Sequence, residues 1–148
     1  MLTSYGKSLP LLIIILALTK EIDFMDWSLK TVLIAEDEDA NFMLLEEFLE
    51  PTGIKVIRAH NGQEAIDFCQ EKLPDIILMD MKMPIMTGYE AISKIRSLNI
   101  ETPIIAQTAY VMVGDKEKCF KNGCNDFIYK PLDEDELIRK MQKYIDNN

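Results

Sequence analysis

From Lys30 onward the chain alternates two hydrophobic rhythms. Thr31-Val32-Leu33-Ile34-Ala35 is a continuous apolar run, as a strand buried on both faces requires. Residues 39–50 then carry Phe42, Leu45 and Leu49 at helical spacing, and Pro51 and Gly53 stop that helix. A second strand covers 54–59. Asn61, with Glu64 three positions on, reads as a helix cap and opens a helix ending near Lys72. Pro74 leads into a third strand at 75–79, which runs up to Asp80, and 82–86 is a loop interrupted by Pro84. Thr87-x-x-Glu90 is a capping box opening a helix with Ala91, Ile92 and Ile95 on one side. A fourth strand at 103–106 is followed by Thr108. Residues 113–122 predict a weaker helix, poor in apolar positions and stopped by Gly123. Phe127-Ile128-Tyr129 is a short fifth strand, and Asp133-x-x-Glu136 caps a last helix bearing Leu137, Met141 and Tyr144.

Five β–α units in succession imply an α/β fold, a doubly wound parallel sheet with helices on both faces. Ligands of such sheets bind beyond the carboxyl ends of the strands. Those ends carry Glu36 and Asp37 after the first strand, Asp80 after the third, Thr108 after the fourth and Lys130 after the fifth. Three carboxylates, a hydroxyl and an ammonium are thus expected on one edge of the sheet. Clustered carboxylates repel and raise one another's pKa, and a divalent cation removes the conflict. An all-oxygen ligand set suits Mg²⁺. A cation beside a carboxylate, a hydroxyl and a lysine suits phosphoryl transfer, where catalysis is mostly positioning and charge neutralisation. A carboxylate can itself be the nucleophile, giving an acyl phosphate, and Asp80 is the natural candidate.

Composition narrows the reading. The chain has 148 residues, 48% of them apolar and 28% charged. That suits one domain with a buried core and excludes disorder as the main state. We expect an extension or linker at 1–29 and the domain at 30–148. The 25 acidic residues outnumber the 16 Lys and Arg, a net charge of −9. Lys7, Lys20 and Lys30 balance Glu21, Asp23 and Asp26, so the whole excess lies in residues 31–148. An acidic domain repels phosphate backbones, so no nucleic-acid partner is expected. Three cysteines, Cys69, Cys119 and Cys124, make no disulfide framework and no zinc set. Reduced thiols fit a cytoplasmic setting.

Two motifs fail on inspection. Asp37-Glu38-Asp39-Ala40-Asn41 resembles the opening of a calcium loop, but Phe42 and Phe48 stand where that loop needs Gly and Glu. Gly6-Lys7-Ser8 lacks the preceding glycine of a phosphate-binding loop. The uncharged run at 9–18 would span about 15 Å as a helix, half a bilayer core, so no direct membrane span is expected. It has the look of a signal-peptide core after Lys7, yet Leu18-Thr19-Lys20 offers no clean cleavage site.

The set Glu36-Asp37, Asp80-Met81-Lys82-Met83-Pro84, Gly88, Thr108-Ala109 and Lys130-Pro131 resembles the receiver domain of two-component response regulators. The resemblance covers about 30–145. It implies a flavodoxin-like five-stranded sheet of order 2-1-3-4-5 with five helices. It implies that Asp80 accepts phosphate from a phosphohistidine on a histidine kinase or histidine phosphotransfer protein. Asp37 would bind Mg²⁺ directly, Glu36 would assist, and Lys82 would lend its backbone carbonyl. Lys130 would pair with the phosphate, and Lys130-Pro131 would be a cis peptide. Thr108 would swing toward a phosphate oxygen, and Phe127 would couple that swing to an output face made of the fourth helix, fifth strand and fifth helix. The resemblance also implies a phosphorylation-dependent dimer through that face.

Departures from the pattern are mild. Glu36 stands for the commoner aspartate, and Phe127 has no hydroxyl to bond inward. Lys82 and Tyr110 flank the phosphate approach. His60, the only histidine, leaves no residue for the chain to act as its own histidine kinase. The stretches 105–110 and 123–126, and the linker-like 26–30, look like receivers of hybrid sensor kinases, so the expected setting is cytoplasmic, alone or as the cytoplasmic part of a membrane-bound kinase. The alternative is a receiver-like module that binds partners without being phosphorylated. A phosphatase of related topology would carry a second aspartate where Lys82 stands.

Overall fold

The computed structural model of the chain describes residues 10–15, 25–109 and 112–147. Five strands and five helices alternate: β1 (Thr31–Ala35), α1 (Asp39–Leu49), β2 (Lys55–Ala59), α2 (Gly62–Lys72), β3 (Ile76–Asp80), α3 (Gly88–Ser97), β4 (Ile104–Thr108), α4 (Asp115–Asn122), β5 (Asp126–Tyr129) and α5 (Glu134–Ile145). The helix count exceeds the expected five. A 3₁₀ turn at Glu50–Thr52 follows α1, where Pro51 ends the α-helix, and 11–15 is also helical. Among the described residues no helix is long and apolar enough to cross a membrane. The rest of the apolar run at 9–18 lies outside the described residues, as does Tyr110.

All pairs are parallel and the strand order is β2-β1-β3-β4-β5, the expected flavodoxin-like order. β3 is buried along its whole length, because helices cover both faces. One face sets Leu33, Ile77, Met79, Ile104 and Ala106 against α2, α3 and α4. The other sets Val32, Ile34, Ile76, Leu78 and Ile105 against α1 and α5. Trp27 joins the second core: it is 3% exposed, and its indole N–H donates to Asp146 Oδ1 at 3.3 Å.

The caps read from sequence form as expected. Asn61, Thr87 and Asp133 each accept a hydrogen bond from the amide three residues on. Thr87 and Glu90 complete a reciprocal capping box, which satisfies two amides that a helix start leaves open. β4 differs from the expected strand: it runs on to Thr108, because Gln107 and Thr108 pair with Ile128 and Tyr129 of β5. Thr108 is therefore the last residue of the strand, not a loop residue beyond it.

Candidate functional site

β1 and β3 are neighbours, so their carboxyl ends deliver Glu36, Asp37 and Asp80 to one place. One carboxylate oxygen from each lies within 4.8 Å of the other two. Glu36 is fully buried and Asp80 is 4% exposed. Lys130 arrives from the end of β5, and its Nζ donates to Asp80 Oδ2 at 3.1 Å and to Glu36 Oε2 at 3.4 Å. The Lys130–Pro131 peptide is cis. Backbone amides hold the remaining oxygens: Lys82 N donates to Asp80 Oδ1 and Glu38 N donates to Glu36 Oε1, both at 3.0 Å.

Burial raises the Glu36 pKa above the usual carboxylate value; the Glu38 amide opposes it and the Asp80 charge adds to it. For Lys130, burial pulls the pKa down, but the Asp80 and Glu36 charges outweigh it and the net direction is up. Three carboxylates share one ammonium here, so the cluster is left with negative charge in a place poor in water. That donor set, all oxygen and short of positive charge, fits a hard divalent cation.

Thr108 is 6% exposed and sits on the next strand over. With Asp80, Lys82, Tyr89, Asp115 and Lys118 it lines a cavity of about 210 Å³. Phe127 is half-buried on β5. Its ring meets Phe120 and Tyr129 edge-on, at centroid distances of 6.0 and 5.0 Å. The structure therefore brings Glu36, Asp37, Asp80, Lys82 and Lys130 together, sets Thr108 beside them across the cavity, and holds Phe127 farther along the α4 side. His60 lies apart, its ring paired with Glu64 at 3.1 Å.

Gly88 opens α3 hard against the site. A Cβ there would lie 2.4 Å from the Asp80 carbonyl oxygen and 2.7 Å from Met81 Cα, so the close approach of helix to strand end requires glycine.

Two side chains escaped the sequence reading. Arg58 on β2 donates to the backbone carbonyls of Glu36 (3.2 Å) and Asp37 (3.3 Å) and pairs with Asp39 at 2.8 Å, so it braces the loop that carries two of the carboxylates. Nothing in the sequence distinguishes it from an ordinary edge-strand arginine. Gln107 pairs in register with Asp80. It is fully buried, and neither its amide nitrogen nor its amide oxygen has a hydrogen-bond partner among the described residues. Its signal was a polar residue inside the apolar run of β4.

The family model of the response regulator receiver domain matches residues 32–142. The chain belongs to this family. It is 36% identical over 118 residues to the polar-differentiation response regulator DivK of Brucella anthropi, covering 78% of this chain and 96% of that one. Among solved structures it is similar to the receiver domain of the sensor histidine kinase PA1611 of Pseudomonas aeruginosa, which holds a magnesium ion in its active-site cleft: TM-score 0.74, 34% identity, 79% of this chain and 98% of that one. It is also similar to the receiver domain of Ssk1 of Saccharomyces cerevisiae, crystallised with the histidine phosphotransfer protein Ypd1: TM-score 0.73, 32% identity, 78% and 88%. Receiver domains are signalling phosphoacceptors rather than enzymes with turnover on free substrates.

Proposed function

We propose that this receiver accepts a phosphoryl group on Asp80 from the phosphohistidine of a histidine kinase or histidine phosphotransfer protein, in a Mg²⁺-dependent reaction. The observation that carries this reading is the cluster itself: a buried aspartate fixed by an amide and an ammonium, with two further carboxylates alongside. Asp37 and Asp80 would hold the cation through carboxylate oxygens, Lys82 through its backbone carbonyl, and Glu36 would assist. When bound, the cation offsets the charge repulsion between Asp80 and an incoming phosphoryl group.

The residues of the chain do the rest. The Asp80 carboxylate attacks phosphorus and the donor histidine leaves. Lys130, already bonded to Asp80, is placed to pair with a phosphoryl oxygen. Thr108 turns its hydroxyl toward the new group, and the space it leaves lets Phe127 move inward, shifting the α4–β5–α5 face that signals to partners. α4 is suited to shift: it has eight residues and only Cys119 is buried on it. The functional unit is the receiver at 30–148, with 1–29 as an extension.

Incubation with Mg²⁺ and acetyl phosphate, followed by intact mass, tests this. One phosphoryl group should add to the wild-type chain. None should add when Mg²⁺ is chelated or in Asp80→Ala. Absence of labelling with acetyl phosphate and with phosphohistidine donors would instead mark a module that binds without phosphorylation.

A further inference from the structure

Cys119 and Cys124 take no part in the phosphoacceptor cluster, yet the end of α4 is built around them. The helix closes in a Schellman motif. Gly123 takes the left-handed conformation (φ 108°) and its amide donates to Phe120 O at 3.0 Å, while the Cys124 amide donates to Cys119 O at 3.2 Å. The residues joined by that longer-range bond bring their side chains together, normally as an apolar contact. Here both side chains are thiols, they interact with each other, and they are 1% and 6% exposed. A disulfide usually spans Cα atoms about 4.4–6.8 Å apart, and the backbone bond between these two residues keeps their Cα atoms close. The third cysteine, Cys69, lies on α2, outside the motif.

The surroundings favour reaction at Cys119. Its thiol faces the side chain of Tyr89, and the Lys118 ammonium stands 4.1 Å over the Tyr89 ring. Tyr89 and Lys118 line the cavity that opens at Asp80, so Cys119 is one side chain removed from open space. The bond from the Cys124 thiol lowers the Cys119 pKa to about 7, and the same pairing pushes Cys124 up. The thiolate is the reactive form, and Cys119 is the member of the pair on which it forms more readily.

We propose that Cys119 and Cys124 form a reversible intramolecular disulfide that staples the carboxyl end of α4 to the approach to β5. With a peroxide as oxidant, the Cys119 thiolate attacks one oxygen, the O–O bond breaks, and Cys119 becomes a sulfenic acid. Cys124 then attacks that sulfur; the S–O bond breaks and the Cys124 proton leaves with the oxygen as water. The two thiols lose two electrons and two protons, and hydrogen peroxide becomes two waters. A small dithiol reverses the step. Arg96 already ties this loop to α3, through bonds to Gly123 O (2.9 Å) and Asn125 Oδ1 (2.8 Å). The disulfide therefore locks α4 at a fixed end, and its consequence for signalling rests on α4 being the element that shifts.

The test uses the full chain without phosphodonor, so its outcome is separate from labelling of Asp80. Graded hydrogen peroxide is followed by alkylation, intact mass and peptide mapping. The expected product is lighter by two hydrogens, carries a Cys119–Cys124 linkage, and returns to the starting mass with dithiothreitol. Cys69→Ser forms it equally. Cys124→Ser, which keeps a hydrogen-bond donor beside Cys119, traps a sulfenic acid on Cys119 that dimedone captures. Added oxygen without linkage, a linkage through Cys69, or a dimer linked between chains overturns the proposal, and the wild-type map alone decides this. Amide exchange across 115–124 should slow in the disulfide form; unchanged exchange overturns the staple.

Discussion

Lys130 Nζ lies 3.1 Å from Asp80 Oδ2, joining two residues fifty positions apart in the chain. The contact spans β3, β4 and β5, so it exists only when the sheet is complete. It holds the acceptor carboxylate in one orientation before any phosphoryl group arrives.

Removing that ammonium should slow the reaction more than it disturbs the fold. A hydrogen bond to a charged group is worth about 1.5–3 kcal/mol, roughly 10- to 150-fold in rate if lost at the transition state. Lys130→Ala should therefore label from acetyl phosphate one to two orders of magnitude more slowly than wild type, by intact mass against time. Equal rates would show that Lys130 is a structural partner of Asp80 only.

Arg58 touches none of the three carboxylates of the cluster, yet it braces the loop that presents Glu36 and Asp37. Residues that orient ligands typically change metal affinity by about 10- to 100-fold. Arg58→Ala should weaken Mg²⁺ binding by at least about tenfold by calorimetric titration, with circular dichroism unchanged. Affinity within a factor of two of wild type would remove Arg58 from the site.

Burial raises the Glu36 pKa in the folded chain above the ordinary 4.5. The folded state then binds this proton more tightly than the unfolded state. The resulting stability is fully present below about pH 4.5 and is lost as pH rises through the raised folded value. In chelator, wild type should lose stability over that range relative to Glu36→Gln, which has no charge to bury. Parallel denaturant-unfolding curves for the two proteins across pH 4.5–7.5 would contradict this, those limits bracketing roughly the carboxylate and neutral range.

Gln107 buries an amide with no hydrogen-bond partner among the described residues. Such a group costs about 1–3 kcal/mol. Gln107→Leu, close in volume, should stabilise the chain by about 1 kcal/mol or more in urea unfolding. A loss of stability would show that the amide is satisfied by ordered water.

The legible part of the site was carried by local chemistry. Asp80, Lys130 and the Glu36-Asp37 pair each follow an apolar run, and parallel strands must deliver their ends to one edge. Thr87 and Asp133 could be read as caps because a cap acts over three residues. The extent of β4 was misjudged because pairing with Tyr129 prolongs it, and a partner strand leaves no mark on the sequence of its neighbour. Arg58 was missed for the same reason: its partners, Glu36 and Asp37, lie some twenty positions upstream.

The sequence alone determined the alternation of elements, the residues at the strand ends and hence the family, because apolar periodicity and capping act over a few residues. Only the tertiary structure decided which of those residues meet. It set Lys130 between Asp80 and Glu36, buried Gln107 beside the acceptor, placed Gly88 against the Asp80 carbonyl and turned the Cys119–Cys124 spacing into a thiol contact. These follow from strand order and from the closing of one helix, where packing brings together groups that the chain keeps apart.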